Sequence, residues 1–421
     1  MKEIKSQVLG EKYYEINHPS GLKIFVMPKE NYSSAYAVFG TEYGSIDTEF
    51  RTNSQKDFTA VPEGIAHFLE HKLFESEDLD AFERYAKTGA SANAYTSFDK
   101  TCYLFSCTDK FEESLDILLD FVQSPYFTEK TVQKEQGIIG QEITMYYDVP
   151  GWMSMFNLLK ALYKNHPVRI DIAGTVESIS KITAELLYDC YNTFYNLSNM
   201  TLCVVGNVTP EQVLAVCDKR LKKSPEIKIE RRFKDEPREI CQSYVEYSLD
   251  VSVPVFSFGY KEKCIPERRA LKDLIETNIL LEIIAGDASP LYSELFESGL
   301  INSEFSKEYF TGRGFEAVMF EGESKNPQAV CDKIKARIAY LKQNGIDGEL
   351  FETVRRCLYG REIMQYNSID GVANSLLSCY FNGLNMFDSI DVYKNVTLTD
   401  IEKRLGGMLL EEYSALSVVK K

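Results

Sequence analysis

VPEGIAHFLEHKLFES, residues 61–76, holds two of the four histidines of a 421-residue chain. Pro62 suits the first turn of a helix, where its missing N–H would have no partner anyway. On that helix His67 and His71 lie one turn apart on one face, so their imidazoles can converge on a single ion. Glu70, three residues after His67, reaches the same side. The order is H-x-x-E-H, the inverse of H-E-x-x-H. The plainer alternative is two core histidines that are hydrogen-bonded and bind nothing. Burying two imidazoles and a carboxylate that way costs on the order of several kcal/mol unless each is paired.

A hydrolytic zinc centre takes three protein ligands and keeps one position open, so a third ligand is expected elsewhere. TVQKEQGIIGQEIT, residues 131–144, offers one. Glu135, Ile138, Ile139 and Glu142 stand at i, i+3, i+4 and i+7 of a helix. The two isoleucines predict that this face is buried, and two glutamates on a buried stripe call for a cation. If the stripe is partly exposed, the glutamates are solvated instead.

The flanking segments alternate in type. GLKIFVMPKE (21–30) and YAVFGTEYGS (36–45) read as strands, and LDAFERYAKTG (79–89) as a helix closed by Gly89. SANAYTSF (91–98) and KTCYLFSC (100–107) read as antiparallel strands with a short turn near Asp99. Helices follow at 110–127 and 128–148. Strand runs mixed with helix pairs predict an α+β fold, helices packed on a largely antiparallel sheet. The second half opens with the same mixture, VPVFSFGYKE (253–262) and ALKDLIETNILLEIIAG (270–286). Thr183, Leu202 and Val204 align with Thr397, Leu416 and Val418 at one offset, 397 − 183 = 214. A Thr-capped helix leading into an apolar strand explains each copy, and duplication explains the shared offset. The charged, proline-bearing KKSPEIKIERRFKDEPREI (222–240) reads as the linker between them.

Hydrophobic residues at 44% and charged residues at 26% exclude a disordered or fibrous chain. The length predicts two or three domains. A net charge of 47 − 63 = −16 argues against nucleic acid, whose phosphates need clustered Lys and Arg, and against anionic lipid. The opening MKEIKSQVLGEKYYEI has no apolar leader, and no apolar stretch reaches the ~20 residues of a membrane span. The ten cysteines lie singly without a CxxC pair, which predicts reduced thiols in a cytoplasmic protein. His18 and His166, each before a proline, read as loop residues, and Trp152 as a packing residue.

HFLEH, followed at 135–142 by E-x-x-I-I-x-x-E, resembles the pitrilysin/insulinase superfamily of zinc peptidases. Within it, the chain is most similar to the bacterial group related to the mitochondrial processing peptidase. GASANAYTSFDKTCYLF (89–105) and GTVESISKITAELLYDCYNTFYNLSNMTLCVVGN (174–207) agree with this, and the similarity is strongest through about residue 215. HKLFES after the motif resembles the zinc subunit of paired peptidases linked to elongation factor P modification. The resemblance implies two similar halves forming a clamshell: a zinc-bearing catalytic domain at 1–225, a linker at 226–240, and a homologous domain without metal ligands at 241–421. It implies His67, His71 and Glu142 as zinc ligands, Glu70 as general base, and Glu135 as the glutamate supporting a ligating histidine. Asn93 and Ala94 match the edge-strand positions that hold a substrate backbone.

The offset of 214 carries the motif onto Leu281, Ile284 and Ala285, where no ligand stands. The family also places an Arg and a Tyr in the second half, as oxyanion donors. Here SPLYSELFESGLINSEF (289–305) has Phe296 and Asn302 near those positions. Either the chain is a weak peptidase alone, or a related second chain, identical or distinct, supplies the pair, or another residue such as Arg313 substitutes. The resemblance thus implies a zinc metalloendopeptidase acting on peptides or unfolded segments in a closed chamber, as a homo- or heterodimer. The alternative is a non-catalytic subunit used for assembly or binding.

Overall fold

A computed structural model describes residues 1–77, 79–263 and 270–421. The first half runs β1 (Lys2–Ser6), β2 (Glu11–Asn17), β3 (Lys23–Pro28), β4 (Ala35–Thr41), β5 (Glu49–Thr52), β6 (Thr59–Ala60), α1 (Ile65–Leu73), α2 (Ala81–Thr88), β7 (Ser91–Thr96), β8 (Thr101–Cys107), α3 (Phe111–Val122), α4 (Glu129–Tyr146), α5 (Pro150–Leu162), α6 (Val176–Ile179), α7 (Ala184–Phe194), β9 (Met200–Gly206) and α8 (Pro210–Arg220). After β10 (Ile229–Arg231) come β11 (Tyr244–Ser248), β12 (Val255–Lys261), α9 (Leu271–Ala285), α10 (Pro290–Glu297), β13 (Ser306–Gly312), β14 (Phe315–Glu323), α11 (Pro327–Asn344), α12 (Gly348–Gln365), α13 (Ile369–Phe381), α14 (Asp388–Asn395), α15 (Leu398–Gly407) and β15 (Ser414–Lys420).

The fold is α+β with two similar halves. The first large sheet has the order β1-β2-β3-β9-β4-β8-β7, and the second has β11-β15-β12-β14-β13. The second sheet repeats five strands of the first. In each, one parallel pair (β3 with β9, β11 with β15) sits beside otherwise antiparallel neighbours. β9 and β15 keep the offset seen in the sequence, 414 − 200 = 214, and the helices before them are capped by Thr183 and Thr397. In both caps the threonine hydroxyl accepts an N–H that the first helical turn leaves unpaired.

The chain divides into two compact units. One comprises Met1–Ile143, Asp171–Arg232 and Ile363–Phe387; the other comprises Thr144–Ile170, Phe233–Glu362 and Asp388–Lys421. Each large sheet therefore receives a helix from the other half of the sequence. In the first unit α13 lies on β4 and β9, and in the second α5 lies on β12 and β15. Glycine makes room for both. A Cβ on Gly40 would stand 2.6 Å from Leu377, and one on Gly259 would stand 2.9 Å from Leu158. The two pairs are related by one offset, 259 − 40 = 377 − 158 = 219. In β4 the side chains alternate: Ala35, Ala37 and Phe39 face the core under α1 and α3, while the intervening positions face α13. With helices on both faces, every residue of β4 and β9 is buried. Leu377 is fully buried. Leu377→Ala should therefore destabilise the first unit by about 2–5 kcal/mol, read as an earlier urea transition with the second unit unaffected.

α1 starts later than its proline suggested. Pro62 precedes the helix, and Gly64, at φ 86°, leads into Ile65. A side chain there is excluded, because a Cβ would stand 2.3 Å from the carbonyl oxygen of Ala173. This close approach to the 173–174 loop sets where α1 begins.

Candidate metal centre

α1 turns an apolar side to the first core, with Ile65, Ala66, Phe68, Leu69 and Leu73 buried. His67 and His71 share a different side and their ring centroids are 4.6 Å apart. α4 crosses within reach of them. His67 Nε2 lies 3.8 Å from Glu142 Oε1, and His71 Nε2 lies 3.5 Å from Glu142 Oε2. One donor atom from each of His67, His71 and Glu142 lies within 4.8 Å of the other two. Among the described residues, no other group of three His, Cys, Asp or Glu side chains meets that condition.

The geometry and the protonation of the two histidines both suit a cation. Ligands about 2.0–2.2 Å from a tetrahedral zinc ion stand about 3.3–3.5 Å from each other, close to the separations here. The Nδ1 of His71 donates to Glu135 Oε1 at 3.0 Å. A carboxylate only accepts, so this bond keeps a proton on Nδ1 and turns Nε2 toward the cluster. Burial opposes a charge on His71. The Glu135 bond and the nearby charges of Glu70 and Glu142 outweigh that and hold its pKa above the ordinary value. A place that favours a proton for this reason favours a metal cation too. For His67, burial and then the neighbouring His71 push the pKa down to about 3. It is neutral at ordinary pH and its lone pair is available. Its buried Nδ1 has no hydrogen-bond partner among the described residues.

Glu70 points beside this cluster. It is 8% exposed, and burial raises its pKa while a bond from Thr96 and the charge on His71 work the other way. The Thr96 hydroxyl donates to Glu70 Oε2 at 2.8 Å. Sequence reasoning passed over Thr96, although two-residue alternation from Ala92 and Ala94 puts it on the α1 side of β7.

The buried stripe of α4 differs from expectation. It consists of Val132, Ile139 and Ile143, whereas Ile138 is 46% exposed. Adjacent helical positions point about 100° apart, so one of two neighbouring isoleucines reaches the core. Glu135 and Glu142 flank the buried stripe, partly covered.

β7 is the edge of its sheet, next to β8 alone. Asn93 is exposed, and its Oδ1 accepts the Ala94 N–H at 2.8 Å. That N–H is therefore turned away from the β8 ladder.

The related elements of the second half carry different residues. α9 holds buried Leu281, Ile284 and Ala285. α12 repeats α4 at an offset of 348 − 129 = 219, which puts Val354 and Arg361 where α4 has Glu135 and Glu142. Arg361 there bonds Glu282 at 3.3 Å. Phe296 is exposed on α10, and Asn302 donates to Glu323 at 2.8 Å.

The remaining two histidines are buried and bonded to other parts of the chain. His18 turns between β2 and β3, contacting Ser20 Oγ at 2.8 Å and Asp218 Oδ1 at 3.0 Å. His166 is buried, with Nδ1 accepting the Val168 N–H and Nε2 donating to the Arg313 carbonyl at 3.0 Å. Burial pushes its pKa down to about 4, against the Arg313 bond and the Glu236 charge. Because the folded pKa lies below the ordinary one, the unfolded chain binds the extra proton between about pH 6.5 and 4, and stability falls as pH falls through that window. The expected loss is on the order of 1–3 kcal/mol. Urea midpoints measured from pH 7 to pH 4 should fall, with a shallower slope in His166→Gln. Arg313 itself is 9% exposed within the second unit.

Residues 59–176 match the family model described as insulinase (peptidase family M16), and residues 181–358 match the one described as peptidase M16 inactive domain. The uncharacterized zinc protease YmfH of Bacillus subtilis is 41% identical over 407 residues, 96% of this chain and 95% of that one. The beta subunit of the mitochondrial-processing peptidase of Caenorhabditis elegans is 28% identical over 211 residues, 48% of this chain and 43% of that one. A crystal structure described as that of an M16-like peptidase from Alicyclobacillus acidocaldarius is 34% identical and superposes with a TM-score of 0.94, covering 99% of this chain and 100% of that one. No helix among the described residues is long and apolar enough to cross a membrane.

Proposed function

Because the chain belongs to peptidase family M16, the insulinase family, we propose that it is a zinc metalloendopeptidase that cleaves peptides or unfolded segments. The observation that carries this reading is the convergence of His67, His71 and Glu142 within 4.8 Å. These three would hold the ion, with Glu135 orienting His71 from behind. A bound zinc ion would supply Lewis acidity toward water and the scissile carbonyl. Glu70 takes a proton from the attacking water and passes it to the leaving amine. The substrate extends the first sheet at β7, where the Ala94 N–H can exchange the Asn93 side chain for a peptide carbonyl. Main-chain bonds of this kind give affinity with little demand on sequence.

The chain is read as two homologous domains, 1–225 and 241–421, joined at 226–240, with the site in the first. Phe296 and Asn302 leave the second without an Arg/Tyr pair, so a related chain supplies the oxyanion donors and closes a reaction chamber. Described cysteines are all free thiols, which fits a cytoplasmic setting. The resemblance of HKLFES supports a place among the paired peptidases linked to elongation factor P modification.

A second reading, a non-catalytic assembly or binding subunit, is favoured by the match of residues 181–358 to an inactive-domain model. Zinc-dependent cleavage separates the two, since a non-catalytic subunit can also hold a structural zinc. The peptidase should purify with one zinc per chain and lose cleavage of an unfolded protein on dialysis against a chelator, with recovery on adding zinc. Cleavage that survives chelation would exclude the metallopeptidase.

A further inference from the structure

The strand that carries the proposed substrate edge also carries the residue that holds Glu70. Side chains of β7 alternate between two faces. Ala92 and Ala94 pack on the first core, and Thr96 follows them to the side of α1. There its hydroxyl donates to Glu70 Oε2 at 2.8 Å. Among the described residues this is the one hydrogen bond to the Glu70 carboxylate. On the other face Tyr95 donates to Asn374 Oδ1 at 2.9 Å. Asn374 is held in turn, donating to the Asp370 carbonyl at 2.9 Å and to the Tyr36 hydroxyl at 3.1 Å. Opposite Thr96 on β8 stands Thr101, whose hydroxyl donates to the Tyr43 carbonyl at 2.8 Å. The end of β7 is thus tied down on both faces.

We propose that Thr96 is a positioning residue that holds the general base in register with the substrate-binding edge. This rests on the peptidase reading above. With Oε2 fixed by Thr96, the Glu70 carboxylate cannot rotate freely, and Oε1 is the oxygen left to take a proton from water. A peptide that adds to β7 at Asn93 and Ala94 is then aligned with Glu70 through Thr96, two residues beyond Ala94 on the same strand. The same device explains why a hydroxyl stands at the end of a face otherwise made of alanines.

Thr96→Val keeps the shape and removes the hydroxyl; Thr96→Ser keeps the hydroxyl. Both are compared with Glu70→Gln in the full-length, zinc-loaded chain, together with any related chain that co-purifies, on a quenched-fluorescence unstructured peptide mixture. Thr96→Val should lower kcat about 10- to 100-fold with KM within about twofold. Thr96→Ser should restore most of the rate, and zinc content should be equal in all. Crystal structures supply a readout apart from turnover: in Thr96→Val the Glu70 carboxylate should leave its wild-type position, and in Thr96→Ser it should keep it. Wild-type kcat in Thr96→Val beside an inactive Glu70→Gln overturns the role of Thr96 and leaves the peptidase standing. A loss that Thr96→Ser does not rescue, or an unmoved Glu70 in the Thr96→Val crystal, likewise overturns it. Full activity of Glu70→Gln removes Glu70 as the general base and Thr96 as its support, and absence of cleavage by the zinc-loaded wild-type chain with its partner overturns the peptidase reading itself.

Discussion

Glu70→Gln should keep its zinc and lose peptide cleavage by about 10²- to 10⁴-fold in kcat, the range for removing a general acid–base group. Gln has the same shape, and its amide oxygen can still accept from Thr96, so local packing around α1 is retained. What it lacks is a site that can gain and release a proton at the reacting water. Glu70 is 8% exposed and lies beside the His67, His71 and Glu142 cluster without being one of its three donors. Metal content should therefore stay near one ion per chain while turnover falls. Measurement of bound zinc and kcat on the same preparation checks both halves. An assembly subunit predicts no change in either, so the same variant also separates the two readings.

Glu142→Ala should have the opposite signature, losing the metal first. It removes the donor that both imidazoles face, at 3.8 and 3.5 Å, and leaves two nitrogens to hold a divalent ion. A loss of at least about 100-fold in zinc affinity is expected, beyond the 10- to 100-fold typical of an outer-shell change. Glu135→Gln supplies that comparison. Its carboxylate contacts Nδ1 of His71 at 3.0 Å and stands behind the ligand, so its variant should weaken zinc retention by the smaller factor. Titration with a competing chelator measures both. Equal zinc affinity in Glu142→Ala and the unaltered chain would remove Glu142 from the centre.

Local periodicity made a large part of this protein readable. HFLEH places two imidazoles on one helical face whatever surrounds it, because a turn of 3.6 residues leaves no other arrangement. The repeat between Thr183–Val204 and Thr397–Val418 survives as two capped helices and two equivalent strands, since caps and strand pairing are written in short segments. The edge position of β7 and the 3.5 and 3.8 Å approaches of α4 to α1 are different in kind. They depend on where distant segments pack.

Packing also corrected two local readings. Ile138 faces out where adjacency to Ile139 suggested burial, because only the core can say which of two neighbours it needs. Pro62 stands outside α1, since the approach of Ala173 to Gly64 fixes the first turn. The amino-acid order alone thus determined the α+β elements, the repeat between the halves and the candidates for a cation site, His67, His71, Glu135 and Glu142; the fold brings His67, His71 and Glu142 within 4.8 Å. Tertiary structure alone decided that Leu377 and Leu158 seat on glycines of the other half's sheet, and that Thr96 meets Glu70. The physical reason is range: helical and strand periods act over a few residues, whereas these contacts join groups far apart in the chain and exist only once the core has closed.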